Sequence, residues 1–417
     1  MTNRSMYYSK YWRMCTVFAA VLGVLSASSG CVSPIALHRA VLEYDRATAK
    51  IQAEMLLLNI ARAKRREPIH FTAVSSVAAT FNFQVTAGWL GRIADNPGTG
   101  SATALTLGAS ASENPTVTII PVEGEAFARR MLTPLDGNKI LFLAAGGLEP
   151  SRVLRLLARS YVDTSGEHRD LILNDPRQKE EYIRFRRIIL HIASLSLAEA
   201  LYGRQIVYEE VVPAPYPTDS SATDVTDTVI SALKEGYLWQ PPVEGGPPVL
   251  TQVVKGRRIV TNYDLSDISN DQRRRLHKET ERLPKDSLFF DIRPDGPGGE
   301  YPLHGYFFLR SFRQSLHFIA RGMSVAPEFD VEKDPRTGPV LANPARTLAI
   351  QETADEPSDA LFKVRHAGSW YWIPNLPEDA SDEAAWDQIA FRLVNALYNM
   401  TVTDISLQPK PSITIAK

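Results

Sequence analysis

Of the side chains able to move protons or hold a metal, the eight histidines stand singly, at His38, His70, His168, His191, His277, His304, His317 and His366. None falls in H-E-x-x-H or beside a cysteine at ligand spacing, so no zinc site is expected. An activated serine on an elbow would need G-x-S-x-G, and a phosphate cradle would need G-x-x-x-x-G-K-[ST]; neither pattern occurs. The glycines of D-G-P-G-G-E, residues 295–300, lack the lysine and the strand-to-helix setting, and read as a turn. Glu209 and Glu210 are adjacent carboxylates, but glycoside hydrolysis needs two that face each other across a pocket. No cofactor is expected, and no reaction can be written from these residues.

Two features point to binding and anchoring. The chain opens with Arg4, Lys10, Arg13 and no acid, then an apolar run too short to span a bilayer, which is the pattern of a secretory signal. The run leads into S-S-G-C, Ser28 to Cys31, which resembles the lipobox of bacterial lipoproteins, although Ser28 stands where such boxes usually carry Leu. Cys15 leaves with the signal, so Cys31 is alone in an oxidising compartment, and a thioether-linked lipid with palmitate-type acyl chains at this new N-terminus is the expected fate. Val32, not Asp, follows it, and in lipoproteins of that kind this implies sorting to the outer membrane. The second feature is G-S-W-Y-W-I-P, where alternation places Trp370 and Trp372 on one face of a strand and Tyr371 on the other. The pair reads as core first and as a platform for stacking on sugar rings second.

The first 30 residues carry three basic side chains and no acid, so the remainder holds 43 Lys and Arg against 47 Asp and Glu. Nothing in such a balance points to nucleic acid as a partner, and none is expected. Five regions follow from composition and pattern: a signal peptide over 1–30, an amphipathic helix over 31–66, a long alternating β-hairpin over 67–122, a mainly helical region over 123–214, and an α+β domain over 215–417 that begins in P-A-P-Y-P-T-D-S-S. The fold class is α+β. In the first helix Leu37, Val41, Tyr44, Thr48, Ile51, Met55 and Leu58 form a seam at alternating steps of four and three, for a coiled coil or for packing on the protein's own sheet. The cluster Arg62, Lys64, Arg65, Arg66 suits the negative end of that helix or anionic lipid heads. Helices are expected from Asp175 to a stop at Gly203, over 223–234, 271–282 and 305–321, and from Trp386 onward, with strands around 249–263, a hairpin over 361–374 and a closing strand at I-T-I-A.

Three segments, 56–71, 114–135 and 368–374, resemble motifs of a family of Gram-negative outer-membrane lipoproteins with no settled activity. The resemblance covers about a tenth of the chain, implies an envelope location and carries over no catalytic residue.

The stretch F-T-A-V-S-S-V-A-A-T-F-N-F-Q-V-T-A-G-W, residues 71–89, has no charge and alternates apolar with small polar residues. With Trp89 opposite Thr103, the apolar rows Phe81, Phe83, Val85, Trp89 and Leu105, Leu107 coincide, and the row would face lipid if residues 79–112 entered a membrane. Two strands cannot close a barrel, so insertion requires several copies. The other reading is a long hairpin covered by the protein's own helices. The function expected is therefore a periplasm-facing, lipid-anchored outer-membrane protein, a non-enzymatic structural or export-channel subunit of an envelope assembly. The alternative is a periplasmic glycan-binding or glycan-processing protein. Expected partners are the membrane, further copies of the chain, and an envelope polysaccharide or a secretion partner.

Overall fold

The computed structural model describes residues 32–91, 103–122, 124–212, 222–240 and 249–402. The signal region, Cys31 and the I-T-I-A segment lie outside the described residues. The fold is α+β, and the chain divides into two units: Met1–Leu56 with His70–Val122, and Leu57–Ile69 with Glu123–Lys417.

Helix α1 (Val32–Lys64) begins in the first unit and ends in the second. Its buried stripe is Ala53, Leu56, Leu57 and Ile60, while Val41 and Ile51 of the expected seam are exposed. The periodic seam is real, but the face that packs is a neighbouring one and is confined to the last three turns. The first unit is completed by an antiparallel pair, β1 (Phe71–Gly91) and β2 (Thr103–Val122). No third strand joins this pair among the described residues.

The second unit runs α2 (Glu125–Leu132), α3 (Gly137–Ala145), α4 (Pro150–Leu157), β3 (Ala158–Asp163), β4 (Asp170–Leu173), α5 (Lys179–Leu197), β5 (Tyr202–Val212), α6 (Ala222–Lys234), β6 (Tyr237–Gln240) and β7 (Val249–Thr261). It continues with α7 (Asn270–Glu281), β8 (Ser287–Ile292), β9 (Leu303–Leu309), α8 (Phe312–Gly322), β10 (Gln351–Thr353), β11 (Ala360–His366), β12 (Ser369–Pro374) and α9 (Trp386–Val402). Seven strands form one sheet in the order β4-β3-β9-β8-β7-β5, with β6 also on β7. Strands from both sides of residue 215 thus share one sheet, and the proline-rich stretch there joins β5 to α6 within the unit.

Strand β8, S-L-F-F-D-I, is buried at every position because both faces of the sheet are covered. On one face Phe307 meets Tyr161 and Phe290 at 4.8 and 5.2 Å and Phe185 of α5 at 6.1 Å. On the other, Val162, Phe289 and Tyr306 pack with Leu276 of α7. Gly305 is needed where β9 crosses β3, because a Cβ there would run into the Val162 carbonyl.

Three expected boundaries move. Residues 303–309 are strand β9, and the helix expected from 305 starts at Phe312, after a capping box made by Ser311 and Gln314. Within the region expected to be mainly helical, α4 ends at Leu157 and the chain turns into β3 at Ala158. Asp175 closes a turn instead of capping a helix: its carbonyl accepts from the Gln178 N–H, and α5 starts at Lys179 and ends at Leu197, short of Gly203.

Candidate functional site

The β1–β2 ladder follows from its residues: β-branched and aromatic side chains alternate with Thr, Ser, Asn and Gln, and no residue of β1 carries a charge. The register pairs Trp89 with Leu105, Phe83 with Ala111 and Phe81 with Glu113. This lies two residues from the expected pairing of Trp89 with Thr103. A slip of two keeps every residue on its face, so Phe83, Val85 and Trp89 still share a face with Leu105 and Leu107. It does change the position of Phe81, which now stands opposite Glu113, the one formal charge in the two strands. Between Glu113 and the segment 92–102, which carries Arg92 and Asp95 and lies outside the described residues, the uncharged arms are Asn82–Gly91 and Thr103–Ser112, ten residues each. Pro115, paired with Ala79, has no N–H to give, so its nitrogen must point to the outer edge of the ladder. Among the described residues no helix is long and apolar enough to cross a membrane.

In the second unit β12 lies between β10 and β11. Tyr371 and Ile373 are the buried side chains of β12, at 2% and 0% exposure, and the hydroxyl of Tyr371 donates to Glu352 Oε1 at 2.9 Å. Lys64, from the last turn of α1, pairs with the same carboxylate, and His366 Nε2 lies 2.9 Å from Glu67 Oε2. Part of the basic cluster at the end of α1 therefore holds ion pairs within the unit. Trp370 and Trp372 lie on the opposite face, each partly buried, and the Trp372 indole nitrogen is shielded from solvent, so both the core and the platform readings of this pair stay open. Their paired neighbours there are Arg365 and Thr353 for Trp370, Lys363 and Gln351 for Trp372. The ammonium of Lys363 stands 5.7 Å from the Trp370 ring centre.

Chemistry-bearing groups that are remote in sequence meet elsewhere in this unit. His304 Nδ1 lies 2.8 Å from Asp291 Oδ1, and its Nε2 lies 3.0 Å from Glu279 Oε1. Hydrogen bonds to Asp291 and then Glu279 push the imidazole up to about 10. Burial raises Asp291, but the bonds from His304 and Tyr263 outweigh it and hold the carboxyl below its usual value. With both ring nitrogens held by carboxylates, His304 ties β9 to Asp291 of β8 and Glu279 of α7. His191 is buried against Tyr301, and burial lowers its pKa.

A second network pins the irregular segment 323–350. Arg155 donates to the Pro344 and Ala345 carbonyls, and Arg186 to Asn343 Oδ1 and Ala345 O. Glu328 accepts from Tyr182 and Thr347, and its Oε1 lies 3.7 Å from Arg155. Nearby, α8, β3 and the 171–176 segment enclose a cleft of about 500 Å³ with Arg159, Arg310 and Arg321 in its lining. Sequence reasoning missed these clusters because their members are far apart along the chain. Only the Ser311-x-x-Gln314 box, which fixes Arg310 at the entry to a helix, offered a local signal.

The comparisons with family models, curated proteins and solved structures find no match to this chain.

Proposed function

We propose that the chain is a lipid-anchored outer-membrane subunit facing the periplasm, and that its copies assemble so that each contributes the β1–β2 hairpin to a shared barrel. The role is structural or that of an export channel, without catalysis. The observation that carries this reading is the pair of uncharged ten-residue arms, bounded by Glu113 on one side and by Arg92 and Asp95 on the other, in a ladder no third strand joins among the described residues. A tilted strand needs about 9–11 residues to cross a bilayer, and open strand edges are not tolerated in lipid unless a neighbour pairs with them. Glu113 sets the inner limit of the inserted part, which shortens the span first read as 79–112 to 82–112 and moves Phe81 to the interface. The lipid on Cys31 is part of the proposal.

The test uses single cysteines in protein that keeps the lipidated Cys31. Cysteine at Phe83, Val85 or Leu107 should react with a lipid-confined reagent, and cysteine at Gln84, Thr86 or Thr106 with a small water-soluble one, in detergent-extracted particles much larger than a monomer. A monomer with all six positions shielded from lipid would mean that the hairpin is a soluble element.

The half-buried Trp370–Trp372 pair, with Lys363 and Arg365 beside it, supports a second reading: a face that stacks on envelope polysaccharide. It is compatible with the first, since one chain can carry both a barrel hairpin and a glycan-facing sheet.

A further inference from the structure

Arg310 is the least expected charge in the second unit. It is 6% exposed, and it donates from Nη1 to the Leu156 carbonyl at 3.0 Å and from Nη2 to the Asn174 carbonyl at 2.9 Å, with a longer bond to Arg155 O. Its guanidinium also stacks 3.8 Å over the Phe318 ring. The bonds to Leu156 and Arg155 cap the C-terminal end of α4, whose dipole offers about half a negative charge and so leaves the guanidinium only partly balanced. Asp175 and Glu328 act on Arg310 through space, without a hydrogen bond. A buried cation without a paired anion is costly.

The place where an anion could reach it is the 500 Å³ cleft. Arg159 and Arg321 stand exposed in the same lining, and neither appears in an ion pair among the described residues. Asp175, the one acid in the lining, is already held by Arg177. Three guanidiniums therefore line a cavity whose one carboxylate, Asp175, is shared with Arg177, which leaves the lining with a surplus of positive charge. Leu171, Leu173 and Phe308 supply apolar wall for a small organic body, and Gln314 supplies a neutral amide. We propose that this cleft binds a phosphomonoester, its dianionic head placed among Arg159, Arg310 and Arg321 and its organic part against Leu171, Leu173 and Phe308. A dianion balances this lining better than a single carboxylate would, and planar guanidinium forks suit phosphate oxygens. His317 also lines the cleft; burial, with Arg313 and Arg321 nearby, lowers its pKa.

The same phosphate chemistry could come from a lipid headgroup or from a soluble ester, and the experiment separates them. Phenyl phosphate is titrated calorimetrically into the full-length, detergent-extracted protein, with phenol as the uncharged control. Saturable binding is expected for phenyl phosphate alone, weakened about tenfold or more by Arg159→Gln and by Arg321→Gln, both exposed positions whose loss should leave the melting temperature unchanged. Arg310→Gln is avoided because it would strand the carbonyls at the end of α4. Displacement of phenyl phosphate by mixed micelles containing phosphatidic acid, and not by phosphatidylcholine, assigns a lipid source. Displacement by glycerol 3-phosphate and not by those micelles assigns a soluble ester. Absence of saturable binding at millimolar ligand, equal binding by both variants, or displacement by neither competitor overturns the proposal.

Discussion

His304 lies between two carboxylates that its sequence neighbourhood does not announce, Asp291 thirteen residues before it and Glu279 twenty-five. Its imidazolium is a folded-state feature, so it links stability to pH. The folded pKa, pushed up to about 10, exceeds the ordinary value of 6.5. The stabilisation is therefore complete below about pH 6.5 and is lost as the pH rises towards 10. Because the ring is partly exposed, the loss should be nearer to about 2 kcal/mol than to the full value of the shift. Denaturant melts between pH 6.5 and 10 should show this decline in the wild type and lack it in His304→Gln, whatever that variant's absolute stability. Parallel profiles would mean that His304 is neutral in the fold. Scattered histidines were legible as the absence of a metal motif, but their partners were not, since only the β8–β9 pairing and α7 bring them together.

Elements whose ends are written in local chemistry were the readable ones. Helix α7 falls within a residue of the expected 271–282, and the structure shows the capping box of Ser269 and Gln272 that starts it; the β11–β12 hairpin is legible because Ala367 and Gly368 turn between two alternating runs. The part of β9 from Gly305 to Leu309 reads as the start of a helix because a strand buried on both faces has no alternation to show. Helix α3 lies within the region expected to be mainly helical, but its bounds carry no local signal in the sequence. Alternation in β12 correctly separated the tryptophans from Tyr371 but could not say which side is covered. The structure answers through Glu352 and Lys64, which hold Tyr371 inside. Replacing Trp370 and Trp372 together by Ala should accordingly cost about 1–3 kcal/mol, less than the roughly 3–5 kcal/mol expected for Tyr371→Ala. The double variant should also lose retention on immobilised envelope polysaccharide. If it melts as low as Tyr371→Ala, the pair is core after all.

At the scale of the whole molecule, the division of the chain was only partly legible. The long helix and the alternating hairpin were plain because each repeats one pattern for many residues, whereas the proline-rich stretch near 215 looked like a border and is a connection inside one sheet. The same scale governs how copies would combine. If hairpins meet edge to edge while every anchor lies on one side of the membrane, the β1 edge of one copy must join the β2 edge of the next, a head-to-tail contact that closes into a ring. Such a ring is only as sound as its weakest joint. Pro115 shows that odd-numbered residues of β2 turn their nitrogens outward, so Ala109→Pro would leave a copy's own hairpin paired while removing a donor from the edge offered to its neighbour. Expressed together with the wild type, this variant should be genetically dominant: intact rings should fall as the wild-type fraction raised to the number of copies per ring, measured as loss of the large detergent-stable particle. A decline merely proportional to the wild-type fraction would show that each copy works by itself.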